Sequence, residues 1–137
     1  MLRAILLACA LACASSPAFA FSWSPYSDRT ITSYARKAGG EGSLSPKLRG
    51  VISLMRSQFG SSAVRNVGGA RAGNVAGTRM ASCHNGGHAF DAHLSAAARR
   101  YVMGRKDLGV ITYSGGMHHV HVSDCARERG IRAHKGG

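Results

Sequence analysis

Ser82-Cys83-His84-Asn85-Gly86-Gly87-His88-Ala89-Phe90-Asp91 places a histidine and an aspartate seven residues apart, with a small-residue turn between them. About thirty residues later, Met117-His118-His119-Val120-His121-Val122 alternates in the manner of a strand. His119 and His121 share one face of that strand, and His118 and Val120 share the other. Two neutral imidazoles and a carboxylate make the ligand set of a catalytic zinc site, whose fourth position is left to water. His84, Asp91 and His121 are therefore the candidate ligands of one zinc ion per chain, provided that the two segments meet. Hydrolysis at such a centre also needs a proton relay. His119 lies on the face of His121 and is well placed for it, whereas His118 needs a twist or a bulge to reach the same pocket. A cation is needed to polarise a carbonyl or hold an anionic end group; Arg71 is the first candidate and Arg79 the reserve. His88, His93 and His134 read as structural or surface residues, Asp107 and Asp124 as turn and loop residues. Tyr113 either lines the site or packs the core.

These segments need elements to carry them. Ser45-Pro46 suits an N-cap and a first helical turn, Leu48, Val51, Ile52 and Met55 follow at helical spacing, and Gly60 supplies a stop. Ala63 to Val67 reads as a short strand, and Gly68 to Thr78 as a glycine-rich loop. Ser95 caps a second helix that ends at Gly104. Leu108 to Tyr113 and Met117 to Val122 read as two strands of a hairpin joined by Ser114-Gly115-Gly116. The expected fold is α+β, a small antiparallel sheet with two or three helices and the zinc site between the sheet and the glycine-rich loop. There is no internal repeat. The expected division is a leader at 1–20, an N-terminal arm at 21–44, the functional domain at 45–125 and a frayed basic tail at 126–137.

Residues 1–20 read as a cleaved signal peptide: Arg3 gives a positive start, Ala4 to Ala14 an apolar stretch, and Ala18-Phe19-Ala20 a small-residue cleavage site. The apolar stretch is too short for a transmembrane segment, which needs about 20 residues. A lipoprotein signal, with Leu6-Leu7-Ala8 before Cys9, would leave almost no apolar core ahead of its cleavage point. The mature chain is expected to begin at Phe21 and to be exported, either to a periplasm or out of the cell. Cys9 and Cys13 leave with the signal. The remaining pair, Cys83 and Cys125, most simply forms one disulfide in an oxidising compartment, two buried thiols being the other reading. Cys83 adjoins His84 and Cys125 lies four residues after His121, so a bridge would hold the histidine segments together. No Cys-x-x-Cys pair supports thiolate ligation.

The chain has 137 residues, with 18 lysines and arginines against 6 acidic residues and a net charge of +12, of which the leader carries only Arg3. That balance favours anionic partners and opposes self-association, so a monomer is expected. For an exported protein the partners are cell-wall polymers or anionic lipid headgroups, with no nucleic acid expected.

Ser82-x-His84-x-x-Gly87-x-Ala89-x-Asp91 resembles the Ser-x-His-x-x-Gly-x-Ala-x-Asp signature of the zinc D-alanyl-D-alanine peptidases, the M15 peptidase family, with all five specified positions present. The resemblance runs roughly from Leu48 to Ser123. It implies zinc ligation by His84 and Asp91, with His121 matching the third zinc histidine of the family and Arg71, in Gly68-Gly69-Ala70-Arg71, its arginine. It implies substrates among peptidoglycan peptides. The chain departs from many members at His118, where they carry a carboxylate base three residues before the last zinc histidine. Other members use a His-x-His pair whose first histidine acts in catalysis, here His119. A histidine base would titrate nearer neutrality than a carboxylate. The expected function is an exported zinc metallopeptidase hydrolysing peptidoglycan stem peptides, as a D,D-carboxypeptidase or endopeptidase. The alternatives are a catalytically inactive zinc-containing cell-wall-binding module, and a basic structural or nucleic-acid-binding protein without metal.

Overall fold

Ser45 starts the first helix as its residue type predicts: its Oγ accepts a hydrogen bond from the Leu48 N–H at 3.3 Å, and Pro46 fills the first turn. Helix α1 spans Pro46–Phe59, and its inner stripe is Leu48, Val51, Ile52 and Met55, all buried. Helix α2 spans Ala96–Gly104 and is capped in the same way, with the Ser95 side chain accepting from the Ala98 N–H at 3.2 Å. It buries Ala98 and Val102. The computed structural model from which this architecture is read describes residues 38–75, 78–115 and 118–136. The leader at 1–20, positions 21–37 of the arm, and residues 116–117 of the expected hairpin lie outside the described residues.

Five strands form one sheet: β1 Val64–Gly68, β2 Ala89–Leu94, β3 Gly109–Tyr113, β4 Val120–Ser123 and β5 Arg132–Lys135, in the order β1-β2-β4-β3-β5. The α+β class is as expected, but the sheet is mixed. Four strands are antiparallel neighbours, while β5 runs parallel to β3. The cause is geometric. Because β3 and β4 are antiparallel, the chain leaving β4 emerges beside the start of β3. It passes that end through a 3-10 turn at Ala126–Glu128 and then follows the far edge of β3 as β5. The segment expected to fray as a tail is thus an edge strand, polar because an edge strand has one open side to manage. Likewise the end of the arm is packed, with Ala38 and Leu44 buried and Gly39 N–H bonded to Ala70 O at 3.0 Å.

The period of a strand divides the residues between two faces. Phe90 pairs with Val122, which pairs with Val110; this row, with Ala92 and Val120, joins the buried cluster formed by the stripes of α1 and α2. The next row, Asp91, His121 and Ile111, lies on the opposite face. One face is therefore the core, and the other carries the chemistry. The expected second strand of the hairpin is shorter than its sequence pattern, since β4 begins at Val120 and leaves His118 and His119 ahead of it. His119 nevertheless lies across from Tyr113, whose N–H donates to His119 O at 3.0 Å.

Candidate metal centre

The signature from Ser82 to Asp91 can be read position by position as local structure. Ser82 Oγ accepts from the His84 N–H at 3.3 Å and tightens the turn in front of the histidine. Gly87 has φ 77°, and a Cβ there would run into Ser43 O and approach Leu44 Cα to 3.1 Å, so only glycine lets the turn pass under the start of α1. Its carbonyl accepts from Ser45 N–H at 2.9 Å, which ties the motif to the helix cap. Ala89 is fully buried as β2 begins, and Asp91 follows on the opposite side of the sheet from Phe90.

His84, Asp91 and His121 converge. One ligand atom from each lies within 4.8 Å of the others. His84 Nε2 is 3.2 Å from Asp91 Oδ2, and His121 Nδ1 is 2.9 Å from Asp91 Oδ1. His84 is 2 % exposed and His121 8 %.

The protonation pattern follows from the outer partners. His84 Nδ1 lies 3.0 Å from the carbonyl of Gly69, which can only accept, so Nδ1 carries the proton. With that proton on Nδ1, Nε2 is the nitrogen left facing the Asp91 carboxylate, where it would offer a lone pair to a bound cation. Although near Asp91, that buried nitrogen makes no well-directed hydrogen bond with any described residue. On the other ring, Nε2 of His121 is 2.9 Å from Glu128 Oε2, which again only accepts. Asp91 Oδ1, 2.9 Å from Nδ1, is equally an acceptor, so both ring nitrogens face carboxylates; a neutral His121 with its proton on Nε2 would present a lone pair at Nδ1 to Asp91. Two lone pairs and an anion facing one another in a buried pocket fit a divalent cation, and two nitrogens with one oxygen suit zinc among the borderline ions.

Without a cation, protons hold the cluster together. Burial disfavours a charged His121, but its hydrogen bonds to Asp91 and Glu128 and their charges outweigh that and push it up to about 9. The hydrogen bond from His121 pulls Glu128 down to about 2 against its own burial, with Ser123 adding to the effect. Burial raises Asp91, yet the hydrogen bond from His121 and the close approach of His84 hold its carboxyl well below the usual range.

Around this core, Arg71 Nη2 donates to Asp91 Oδ2 at 2.8 Å, so the expected substrate cation also braces the candidate ligand. His119 Nε2 is 3.9 Å from Asp91 Oδ1, and its ring stacks on Tyr113 with centroids 4.5 Å apart. Tyr113 thus lines the site, and burial, then the charges of Asp91 and Glu128, push its phenol up. His118 is exposed, as is Arg79. Cys83 and Cys125 form the expected disulfide, with Cα atoms 5.9 Å apart, closing a separation of 42 residues. His88 and Asp124 are joined at 2.9 Å, and Asp124 also accepts from Ser45 Oγ at 2.7 Å, so this pair fastens the motif to α1. His134 of β5 meets Thr112 of β3, with its Nδ1 2.9 Å from Thr112 Oγ1.

Sequence reasoning missed Glu128 and Ser123. Ser123 continues the alternation of His119 and His121, and Glu128 is one of only 6 acidic residues, which was the available signal. The arrangement defines a class: an α+β domain carrying a His–Asp–His group able to hold a metal ion on the open side of its sheet. Comparison with family models, curated proteins and solved structures returned no match to this chain.

Proposed function

We propose that this chain is an exported zinc metallopeptidase that hydrolyses peptidoglycan stem peptides, as a D,D-carboxypeptidase or an endopeptidase. The observation that carries the reading is the convergence of ligand atoms of His84, His121 and the Asp91 carboxylate within 4.8 Å of one another, with the second nitrogen of each imidazole turned to an acceptor. The resemblance of Ser82–Asp91 to the zinc D-alanyl-D-alanine peptidases supplies the substrate class. His84 Nε2, Asp91 and His121 Nδ1 would hold the ion, which when bound supplies Lewis acidity and lowers the pKa of a ligand water toward about 7.

The chain's own residues account for the rest. His119, held against Tyr113 at the border of the pocket, accepts a proton from the attacking water and returns it to the leaving amine. Arg71 brings positive charge to the same border, favouring substrates that end in a carboxylate. The net charge of +12 favours association with an anionic wall.

Metal analysis should find about one zinc per chain, lost in His84→Ala. Incubation of the loaded protein with defined muropeptides should release D-alanine or cut crosslinks. Wall binding without products would replace the peptidase reading by that of a binding module. A stably folded native chain that takes up no metal would overturn the metal-centre reading as well.

A further inference from the structure

Glu128 comes from the segment that looked like a frayed tail, yet its placement is over-determined. Its Oε2 lies 2.9 Å from His121 Nε2 and accepts from Ser123 Oγ at 2.6 Å. Ser123 is fully buried and stands two residues beyond His121 on the same face of β4. The backbone around Glu128 is pinned on both sides: its N–H donates to Cys125 O at 3.0 Å, and its carbonyl accepts from Ile131 N–H at 2.9 Å. Cys125 is itself tied to Cys83, and β5 begins four residues after Glu128. Room for this turn is made by Gly109 at the start of β3. A Cβ on Gly109 would collide with Glu128 O and come within 2.8 Å of both Glu128 Cβ and Ser123 Oγ.

The carboxylate meets the edge of the His121 ring opposite to the one facing Asp91. It is therefore aimed away from the pocket in which the water would react. We propose that Glu128 is a positioning residue: by accepting the Nε2 proton of His121, it fixes the tautomer and ring orientation that turn Nδ1 toward the metal pocket. Ser123 holds Glu128 in register, and the Cys83–Cys125 bridge delivers it. A carboxylate behind a ligating histidine also raises the basicity of the ligand, and loss of such a partner typically costs 10–100-fold in metal affinity. The inference rests on the metal-centre reading of His84, Asp91 and His121.

The test uses Glu128→Met, which keeps side-chain volume but removes the acceptor, and Glu128→Gln, which keeps an acceptor oxygen. Zinc affinity is measured by competition with a chromophoric chelator. Loading with 113Cd shows by scalar coupling which ring nitrogen of His121 is the ligand. The expected result is coupling to Nδ1 in the native chain and in E128Q. E128M should bind zinc roughly 10–100-fold more weakly and show coupling to Nε2 or a mixture, with E128Q between the two in affinity. Native coupling through Nε2 overturns the proposal. So does an E128M protein that binds zinc within about twofold of native, or an E128Q protein as impaired as E128M. If E128M does not fold, E128Q and the native coupling pattern decide it. A native chain that binds neither metal removes the metal-centre reading and this inference together, whereas the other adverse outcomes remove the inference alone.

Discussion

His121 sits between two carboxylates, and that single fact sets opposite pH dependences for the metal-free and metal-loaded protein. A histidine raised from 6.5 to about 9 contributes its full stability below 6.5 and loses it as pH rises through 9. Glu128, lowered from 4.5 to about 2, contributes fully above 4.5 and loses its share as pH falls toward 2. The chelator-treated protein should therefore be most stable between these ranges, and its Tm should fall from pH 6.5 to 9.5. Zinc needs neutral His121, so the rise in Tm on adding zinc should grow over the same interval. Thermal melts with and without chelator decide this, and a flat or rising metal-free curve above pH 6.5 would remove the protonated His121 bridge. A second prediction concerns the relay. His119→Ala should keep its zinc and lose about 10²–10⁴-fold in kcat, while His118→Ala, altering an exposed side chain, should stay near native. The reverse ranking in a muropeptide assay would assign the proton to His118. The three ligand candidates were legible in the sequence because ligation restricts residue type and spacing. The outer partners were not: a Gly69 carbonyl has no side-chain signature, and Glu128 becomes a neighbour of His121 only through a turn.

At the scale of elements, both helices could be read from their caps. Ser45 and Ser95 each accept from the N–H three residues on, and the apolar stripes between those caps and the glycines match the buried residues. The limit was reached where tertiary contact overrides local pattern. Arg132–Lys135 has no apolar alternation and reads as a tail, yet it pairs with β3 along an edge that would otherwise be open. What holds it is the Arg132 guanidinium, which donates to Met103 O and Leu108 O at 2.8 Å each and to Arg105 O. Met103 lies in the last turn of α2 and Arg105 just past its end, so this side chain satisfies carbonyls that a helix end leaves unpaired. Hydrogen bonds from a charged donor contribute about 1.5–3 kcal/mol each, and water recovers part of that at this half-exposed site. Arg132→Ala should thus lower unfolding free energy by about 2–3 kcal/mol in a urea titration. A frayed tail would predict no change, and a variant within about 0.5 kcal/mol of native, the usual range for surface substitutions, would restore that picture.

For the whole molecule, function depends on keeping two distant stretches of chain in one place. No helix among the described residues is long and apolar enough to cross a membrane, and the charge of +12 acts over the surface at large. The covalent constraint is local by comparison: Cys83 directly precedes His84, and Cys125 begins the turn that presents Glu128 to His121. With a separation of 42 residues, the chain-entropy account puts the contribution of the bridge near 4 kcal/mol, acting mainly on the unfolded chain. In a domain of this size each kcal/mol moves Tm by about 4–8 °C, so reduction should lower it by roughly 15–30 °C. A purely unfolded-state effect would stop there. Because the bridge anchors both the His84 turn and the Glu128 turn, Cys83→Ser/Cys125→Ser should also weaken zinc binding at temperatures where the protein is still folded. Measuring Tm and zinc affinity on the same variant separates the two contributions. A lower Tm with native zinc affinity would confine the disulfide to global stability, while an unchanged Tm would mean that the sheet and helices hold the two segments together without it.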